Sequence, residues 1–344
     1  MRSKQDILAR LALCIRLKGQ RDETAEGYCR IAGLYYDFAL TCPRDWTSER
    51  KAEAYLSLRI TRDNVSAGTQ NHDLAALNAL YESMGKKLGN VDALRAKRPV
   101  YARHCPTTAE FFALVGELHD TPEVPARLVA LWLAACGLRV NEGLGARLKD
   151  FRREGEKLHL VVRDPKQAHD RWVPIPAMLW PALRRQADHA RTVFRMDQAR
   201  PVPLPLQTPG ALAKKYPRAP HSIGWAFLFP APNPMWHKGT AQQVRWHLPD
   251  YYIQHAFSHA CDRLEAAGKI FARMTPHHLR HWYGTHYNGD LRDLQELMGH
   301  KSIETTTRHL ESALEPSRIH VFGSAGIEGS KARFTASGTL TDED

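Results

Sequence analysis

The 344-residue sequence has few cysteines, and none of them falls in a metal-binding or disulfide pattern. The six cysteines are scattered through mainly apolar segments, and no C-x-x-C pair occurs. Scattered thiols are typical of reduced core residues, because disulfide frameworks belong to oxidising compartments. We therefore predict a cytoplasmic protein with no disulfide frame, no zinc site and no cofactor.

Long apolar runs are also missing from the sequence. No stretch approaches the roughly 18 apolar residues that a membrane-spanning helix needs. The first 20 residues carry charges inside their apolar run, which argues against a secretory signal, and no internal repeat is present. No membrane partner is predicted.

Positive charge is what the chain has in excess. Its formal net charge is +11 and its pI about 9.4, while 43% hydrophobic residues support well-formed cores. The length suggests about two domains of roughly 150 residues each. A basic balance favours a polyanionic partner, most simply nucleic acid, although it can also serve solubility alone.

The residues with the most chemistry lie between 275 and 309. Thr275 suits a helix N-cap and Pro276 suits the first helical position, so a helix is predicted to begin there. His277 and Arg280 stand three residues apart and therefore share one helix face.

A second helix is predicted to follow the first. Asp290 can cap its start, Gly299 is a natural left-handed stop, and His300 stands just beyond it. Ser302 can begin a third helix. An arginine and two histidines on successive short helices can converge on one phosphate.

This stretch resembles the C-terminal signature of tyrosine recombinases, which include phage, chromosome-dimer and integron enzymes. In that family H-x-x-R is followed by G-H, and the nucleophilic tyrosine stands nine residues after that histidine. Here His309 occupies that position, and no tyrosine occurs after Tyr287. The segment before Asp290 is also shorter than in integron integrases. The resemblance implies recombinase ancestry with a changed nucleophile position.

Earlier motifs fit the same resemblance. G-L-R-V-N-E matches the family's G-x-R-x-x-E, which supplies the first active-site arginine, Arg139, with Glu142 as a supporting carboxylate. LHLVV and RWVPI predict a β-hairpin around PKQAHD. The family's catalytic lysine stands eight residues before the proline of a V-P pair, which points to Lys166. Arg171 matches a basic position common in this hairpin.

The resemblance also implies a role for each residue. Cleaving a phosphodiester requires stabilised nonbridging oxygens, an in-line nucleophile and an acid for the leaving oxygen. Arg139 and Arg280 would clamp the phosphate with paired hydrogen bonds. Lys166 would be the general acid, His277 would assist proton transfer, and His300 would hydrogen-bond the phosphate.

The N-terminal part, residues 1–105, is predicted to be a helical DNA-binding domain with its linker. Apolar spacing predicts helices over 4–17, 23–41 and 50–60, and a stripe from Leu74 to Met84 that packs in the core. VSAGTQNHDLAALNALYESMGKKLG resembles the core-binding domain of integron integrases. Polar residues that open this helix and the basic run after it are predicted DNA contacts: Thr69, Gln70, Asn71, Lys86, Lys87, Lys97 and Arg98.

A Pro-rich segment lies in the second half of the chain. ALAKKYP followed by GWAFLFPA resembles an insertion typical of integron integrases, which helps them bind a folded single-stranded site. WAFLF is predicted to be a short strand whose aromatic residues pack in the core. Further DNA contacts are predicted at Arg171, Lys214, Lys215 and His237.

The predicted fold is α+β, mainly helical with a small sheet. A SAM-like core-binding domain (1–105), a tyrosine-recombinase catalytic-type domain (106–315) and a flexible tail (316–344) would form a C-shaped clamp on DNA. Salt-sensitive binding is expected, since Lys and Arg contacts release counterions.

Three functions stay open at this point. The first is a cleavage-deficient accessory or regulatory pseudo-recombinase of a mobile element. It would bind duplex DNA or a folded single strand, as a homo-oligomer or in a hetero-complex with an active recombinase. The second is an active site-specific recombinase that forms a covalent 3′-phospho-protein intermediate. Its tyrosine would come from a partner subunit, from Tyr283 or Tyr287, or from elsewhere in the chain. The third is a metal-dependent hydrolase using His277 and His281, although no H-E-x-x-H motif is present.

Overall fold

A computed structural model of the protein describes residues 3–20, 22–93, 105–164, 169–200, 202–205, 214–237, 240–300 and 302. The chain divides into two units, Met1–Tyr101 and Ala102–Asp344. The predicted tail, 316–344, lies outside the described residues.

The first unit is built from helices around one apolar core. Its described helices are α1 (Lys4–Leu17), α2 (Asp22–Thr41), α3 (Ser48–Thr61) and α4 (Ala67–Ser83). Ser3, Thr47 and Ser66 cap three of them, and each side chain accepts a backbone N–H of the first turn. The predicted helices of this unit are confirmed to within two residues at each end.

Helix α4 shows how the core selects one face. Leu77 and Tyr81 are buried, and Leu74 and Met84 pack partly against the same cluster. The buried hydroxyls of Tyr35 and Tyr81 lie 2.7 Å apart, which satisfies both polar groups inside the core. The predicted core role of the α4 stripe is confirmed.

The second unit combines helices with a small sheet. Its longer described helices are α5 (Thr108–Glu117), α6 (Ala126–Cys136), α7 (Val140–Leu144), α8 (Trp180–Gln198), α9 (Asp250–Ala266), α10 (Pro276–His286) and α11 (Leu291–Met298). The predicted capping signals act as expected. Asp290 accepts the backbone N–H of Arg292, and Gly299 ends α11 with φ +60°. The start of a third helix at Ser302 lies next to residues outside the described part.

Three antiparallel strands form the main sheet. They are β1 (Phe151–Glu154), β2 (Lys157–Asp164) and β3 (His169–Ile175), in the order β1-β2-β3. The predicted hairpin of β2 and β3 is confirmed, with Leu160 opposite Val173. Strand β1 was not predicted.

The Pro-rich segment departs from its predicted strand. WAFLF forms no strand in the structure. A 3-10 turn (Ile223–Trp225) precedes it, and Phe227 and Phe229 are fully buried. The backbone of Ala226 and Leu228 bonds to the chain that leads into β1. A continuous apolar run does not distinguish a strand from an irregular buried segment, which explains the error. A short hairpin follows, with β4 (Met235–His237) and β5 (Gln242–Val244).

Within the described residues, no helix is both long and apolar enough to cross a bilayer.

Candidate active site

The site begins where α6 ends. Gly137 adopts φ +59° and stops the helix, which sends the chain directly into Arg139. Arg139 is the N-cap of α7, and Glu142 closes the capping box by accepting the Arg139 backbone N–H at 2.9 Å. The same carboxylate accepts Nη1 of Arg139 at 2.6 Å. The G-x-R-x-x-E spacing thus fixes the arginine through one helical turn.

Glu142 gathers three guanidinium groups from three elements. Nη2 of Arg171, on β3, lies 2.5 Å from Glu142 Oε2, and Nη1 of Arg280, on α10, lies 3.7 Å from the same oxygen. Burial acts to raise the pKa of Glu142. The hydrogen bond and charge of Arg171, together with the contacts of Arg139, outweigh burial and hold the pKa below its ordinary value. The carboxylate is therefore ionised, and one negative charge faces three positive ones.

The three arginines also hold the carboxyl end of α11. Arg171 Nε donates to Leu297 O at 2.9 Å, Arg280 Nη2 donates to Met298 O, and Arg139 Nη2 donates to Gly299 O at 3.2 Å. These are three consecutive carbonyls at a helix end, which lack partners within the helix and carry partial negative charge. The arginines are therefore shared between Glu142 and the last turn of α11.

Arg280 is the most deeply placed of the three. It is 1% exposed, and its Nη1 donates to Gly137 O at 2.6 Å. Burial, followed by the nearby charge of Arg139, lowers the pKa of Arg280 to about 9, so it still carries its charge near neutral pH. An added anion would stabilise that charge.

His300 completes the cluster. Its Nε2 lies 3.0 Å from Arg280 Nη2, and since a guanidinium only donates, Nε2 is the accepting nitrogen. Gln295 fixes the backbone of His300 through reciprocal bonds of 3.1 Å. Burial, and then the charges of Arg280 and Arg139, lower the pKa of His300 to about 4. The imidazole is therefore neutral near pH 7, with its proton on Nδ1.

The cluster contains three of the six predicted catalytic residues: Arg139, Arg280 and His300. His277 is exposed on α10, and its ring meets His281 edge-on, with centroids 4.7 Å apart. Lys166 and His309 lie outside the described residues.

Arg171 was predicted to contact DNA from the hairpin, and the structure corrects that placement. Its side chain is 11% exposed and is held by Glu142 and α11. Arg171 lies two and four residues before the buried residues Val173 and Ile175 and therefore shares their face of β3. Period-two alternation therefore placed it on the inner face, a signal that the basic-hairpin interpretation overlooked.

The other predicted DNA contacts divide by exposure. Gln70 is 1% exposed on the inner side of α4, a placement that does not favour the predicted DNA contact. His237 is half-buried, lies 2.9 Å from Thr240 Oγ1 and stacks near Trp246. Lys97 and Arg98 lie outside the described residues. The exposed members of the set are Thr69, Asn71, Lys86, Lys87, Lys214 and Lys215. Sequence reasoning missed Trp236, which stands 65% exposed beside His237.

Neither Tyr283 on α10 nor Tyr287 just after it is prepared to act as a nucleophile. Tyr283 packs on Gly137 so closely that a Cβ there would lie 2.4 Å from its ring. Burial raises the pKa of both Tyr283 and Tyr287, which disfavours the phenolate.

Among the described residues, the histidine pair of the metal-hydrolase interpretation gains no third ligand. Across the described part of the chain, no group of three His, Cys, Asp or Glu side chains is arranged to hold a metal ion.

The fold and the cluster define a class of protein. The model of the phage integrase family matches residues 107–315, and that of the phage integrase N-terminal SAM-like domain matches residues 7–88. The chain therefore belongs to the phage integrase family of tyrosine recombinases, and the predicted fold class is confirmed.

Two relatives match across most of the chain. An integrase/recombinase of Escherichia coli is 34% identical over 263 residues, which cover 74% of each chain. The tyrosine recombinase XerA of Pyrococcus furiosus is 24% identical over 92% of this chain and 95% of its own.

Solved structures share the fold. A Tn1549 transposon integrase in complex with circular intermediate DNA matches with a TM-score of 0.58 at 19% identity, covering 88% of this chain and 94% of its own. A lambda integrase dimer bound to a core site matches with a TM-score of 0.58 at 16% identity, covering 92% and 99%.

Proposed function

We propose that this protein binds DNA in the cytoplasm and acts in site-specific recombination of a mobile element as a cleavage-deficient accessory or regulatory recombinase. The chain carries the phosphate-binding half of the chemistry. Arg139 and Arg280 would bind the nonbridging oxygens of one phosphate, and His300 would donate to it through Nδ1–H.

One observation carries this proposal. Three buried or half-buried guanidinium groups face a single carboxylate, Glu142, so the cluster keeps a surplus of positive charge. An uncompensated buried charge is unfavourable, and a bound anion would offset it. A phosphodiester is the anion that paired arginines suit best, because the planar fork of each matches two phosphate oxygens.

The α11 carbonyls give the site a closed arrangement. Each arginine directs at least one N–H at Leu297, Met298 or Gly299. A phosphate that takes these donors would loosen the last turn of α11 and shift His300. Binding would therefore be coupled to the segment that leads to residue 309.

The nucleophile decides between an accessory protein and an enzyme. His309 occupies the family's tyrosine position, and an imidazole differs from a phenol in length and shape. The buried Tyr283, with its raised pKa, does not replace it. An active recombinase that receives a tyrosine from a partner subunit is the alternative.

The relatives support a DNA partner. The solved neighbours described above include a transposon integrase in complex with DNA and a lambda integrase dimer bound to a core site. The net charge of +11 suits the same partner. The insertion-like segment with Lys214 and Lys215 makes a folded single strand worth testing beside a duplex.

A trapping assay tests the loss of cleavage. The protein is incubated with nicked suicide substrates from DNA flanking its gene, and covalent adducts are sought on a denaturing gel. We expect a band shift without an adduct for the wild type. An adduct with wild-type protein would overturn the cleavage-deficient assignment, and peptide mapping would locate the nucleophile. His309→Tyr, alone and with Lys166→Ala, asks whether the hydroxyl is the only missing part.

A binding assay tests the phosphate cluster. Arg139→Ala and Arg280→Ala should each weaken affinity for the shifted DNA by tenfold or more, because each removes a charge-assisted pair of bonds worth about 1.5–3 kcal/mol. Arg263→Ala is the matched control, since Arg263 lies on the surface of α9 and pairs with Glu117 at the end of α5. Equal affinity for all three variants, with folding intact, would contradict the proposal.

A further inference from the structure

A second group of metal-ligating side chains lies on α9, outside the arginine cluster. His255 and His259 stand one helical turn apart, and both are exposed. Their Nε2 atoms lie 3.1 Å apart, and the ring centroids lie 4.2 Å apart at an interplanar angle of 77°. Two imidazole nitrogens thus lie within hydrogen-bond distance of each other on an exposed helix face.

The separation of these nitrogens matches a shared metal ion. Metal–imidazole bonds of about 2.0–2.1 Å place two cis nitrogens about 2.9 Å apart at a right angle and about 3.3 Å apart at the tetrahedral angle. The observed 3.1 Å falls between these limits. Coordination would replace the hydrogen bond between the two rings and requires the donor ring to carry its proton on Nδ1.

The other nitrogen of His259 lies near a carboxylate. Its Nδ1 lies 4.0 Å from Asp262 Oδ2, and Asp262 is held in turn by Arg273 Nη1 at 2.6 Å. A carboxylate behind a ligating histidine favours the tautomer whose Nε2 binds metal. Because Asp262 lies beside Nδ1, it is not a third ligand of the Nε2 pair, and a small movement would bring it within hydrogen-bond distance of Nδ1.

The helix holds the pair in place. The opposite face of α9 buries Ile253, Phe257 and Leu264 in the core of the second unit. The two histidines therefore keep their i,i+4 spacing on a fixed support, with open space for water ligands.

We propose that His255 and His259 form a two-histidine chelate for a late first-row divalent cation such as Cu²⁺, Ni²⁺ or Zn²⁺. Water would fill the remaining coordination positions. Affinity should follow the order of these ions for imidazole, with Cu²⁺ the tightest. Bound metal would link two turns of α9 and stabilise the second unit as the ion concentration rises.

The alternative is a simple hydrogen bond in which one neutral imidazole donates to the other. A histidine-to-glutamine change separates the two interpretations, because glutamine can keep a hydrogen bond but is a poor ligand for these ions.

The test uses the full-length protein with Ni²⁺ as the probe. Histidine modification by diethyl pyrocarbonate is mapped by mass spectrometry with and without the ion, and binding is measured by calorimetry. We expect Ni²⁺ to protect His255 and His259 together, and His255→Gln and His259→Gln each to weaken the tightest Ni²⁺ binding by tenfold or more. His119→Gln is the control, since His119 is also exposed and lies on no histidine pair of α9.

Two outcomes would overturn the proposal. One is unchanged modification of His255 and His259 at saturating Ni²⁺. The other is calorimetry in which both glutamine variants bind the ion as tightly as the wild type. DNA binding by the variants serves as a folding check, because neither histidine belongs to the arginine cluster.

Discussion

Two buried arginine sites in the second unit differ in how their charges balance. Arg245 meets one carboxylate, Asp197, through bonds of 2.7 and 2.6 Å, and its remaining donors go to the carbonyls of Ala231 and Pro232. The Glu142 cluster places three arginines against one carboxylate. A balanced pair joins two segments of the fold, whereas a cluster with surplus charge is suited to bind an anion.

The location of each site agrees with that difference. The Arg245–Asp197 pair is almost fully buried and ties the Pro-rich segment to the end of α8. The Arg139 side chain in the cluster is 41% exposed. The cluster thus has an opening to solvent that the pair lacks. A phosphate site requires both features: an opening to solvent and positive charge around it.

The largest expected effect comes from removing the carboxylate of the balanced pair. Asp197→Asn leaves Arg245 buried without a counter-charge and should lower the free energy of unfolding of the second unit by about 3–5 kcal/mol. Denaturant unfolding measures this loss. Replacing exposed Asp188 with Asn serves as the control and should cost much less. Equal losses for the two variants would contradict the structural role of the pair.

The glycines that surround the cluster should tolerate substitution less than one elsewhere. Gly268→Ala, with φ +64° and open space, should cost about 1–2 kcal/mol for its left-handed backbone alone. Gly137→Ala adds a contact of 2.4 Å with Tyr283 and should cost about 1–3 kcal/mol more. Gly299→Ala would place its Cβ 3.0 Å from the guanidinium of Arg171, a side-chain end that can shift more easily than a packed ring, and its cost should fall between them. Thermal unfolding of the three variants gives the order, and a different order would count against this packing.

A smaller effect is expected from pH, through His300. Its folded pKa of about 4 lies below the ordinary value of 6.5. Between these values the unfolded chain binds a proton that the native protein does not. Stability should therefore fall as the pH drops from about 6.5 to about 4, by no more than about 3 kcal/mol, and this contribution should be unaffected by pH above 6.5. Unfolding of His300→Gln and wild type across this range isolates the contribution, because other titrating groups are common to both. Parallel curves would refute the assignment.

The smallest expected effect is the one that discriminates best between the two sites. Inorganic phosphate should raise the stability of Glu142→Gln more than that of the wild type, by about 1 kcal/mol at phosphate concentrations several times its dissociation constant. Asp197→Asn should gain nothing beyond the general salt effect, which sodium chloride at equal ionic strength measures. Equal gains for both variants would mean that surplus charge does not mark a binding site here.

The sequence alone determined the local elements and predicted Arg139, Arg280 and His300, which the structure brings together. The G-x-R-x-x-E spacing, the cap at Asp290 and the stop at Gly299 act over a few residues, so their outcome does not depend on the rest of the fold. The helices of both units and the β2–β3 hairpin follow from periodicity in the same way. Family membership rests on motifs in a fixed order along the chain.

Only the tertiary structure decided which residues meet. Gln70 and Asn71 are neighbours in one polar run, yet packing of α4 buries the first and exposes the second. Arg171 and Lys214 are both basic, but only Arg171 joins Glu142, because β3 turns it toward α11. The sharing of three arginines between one carboxylate and three carbonyls joins residues up to 160 positions apart. Local spacing cannot encode such contacts, since they depend on how separate elements pack in three dimensions.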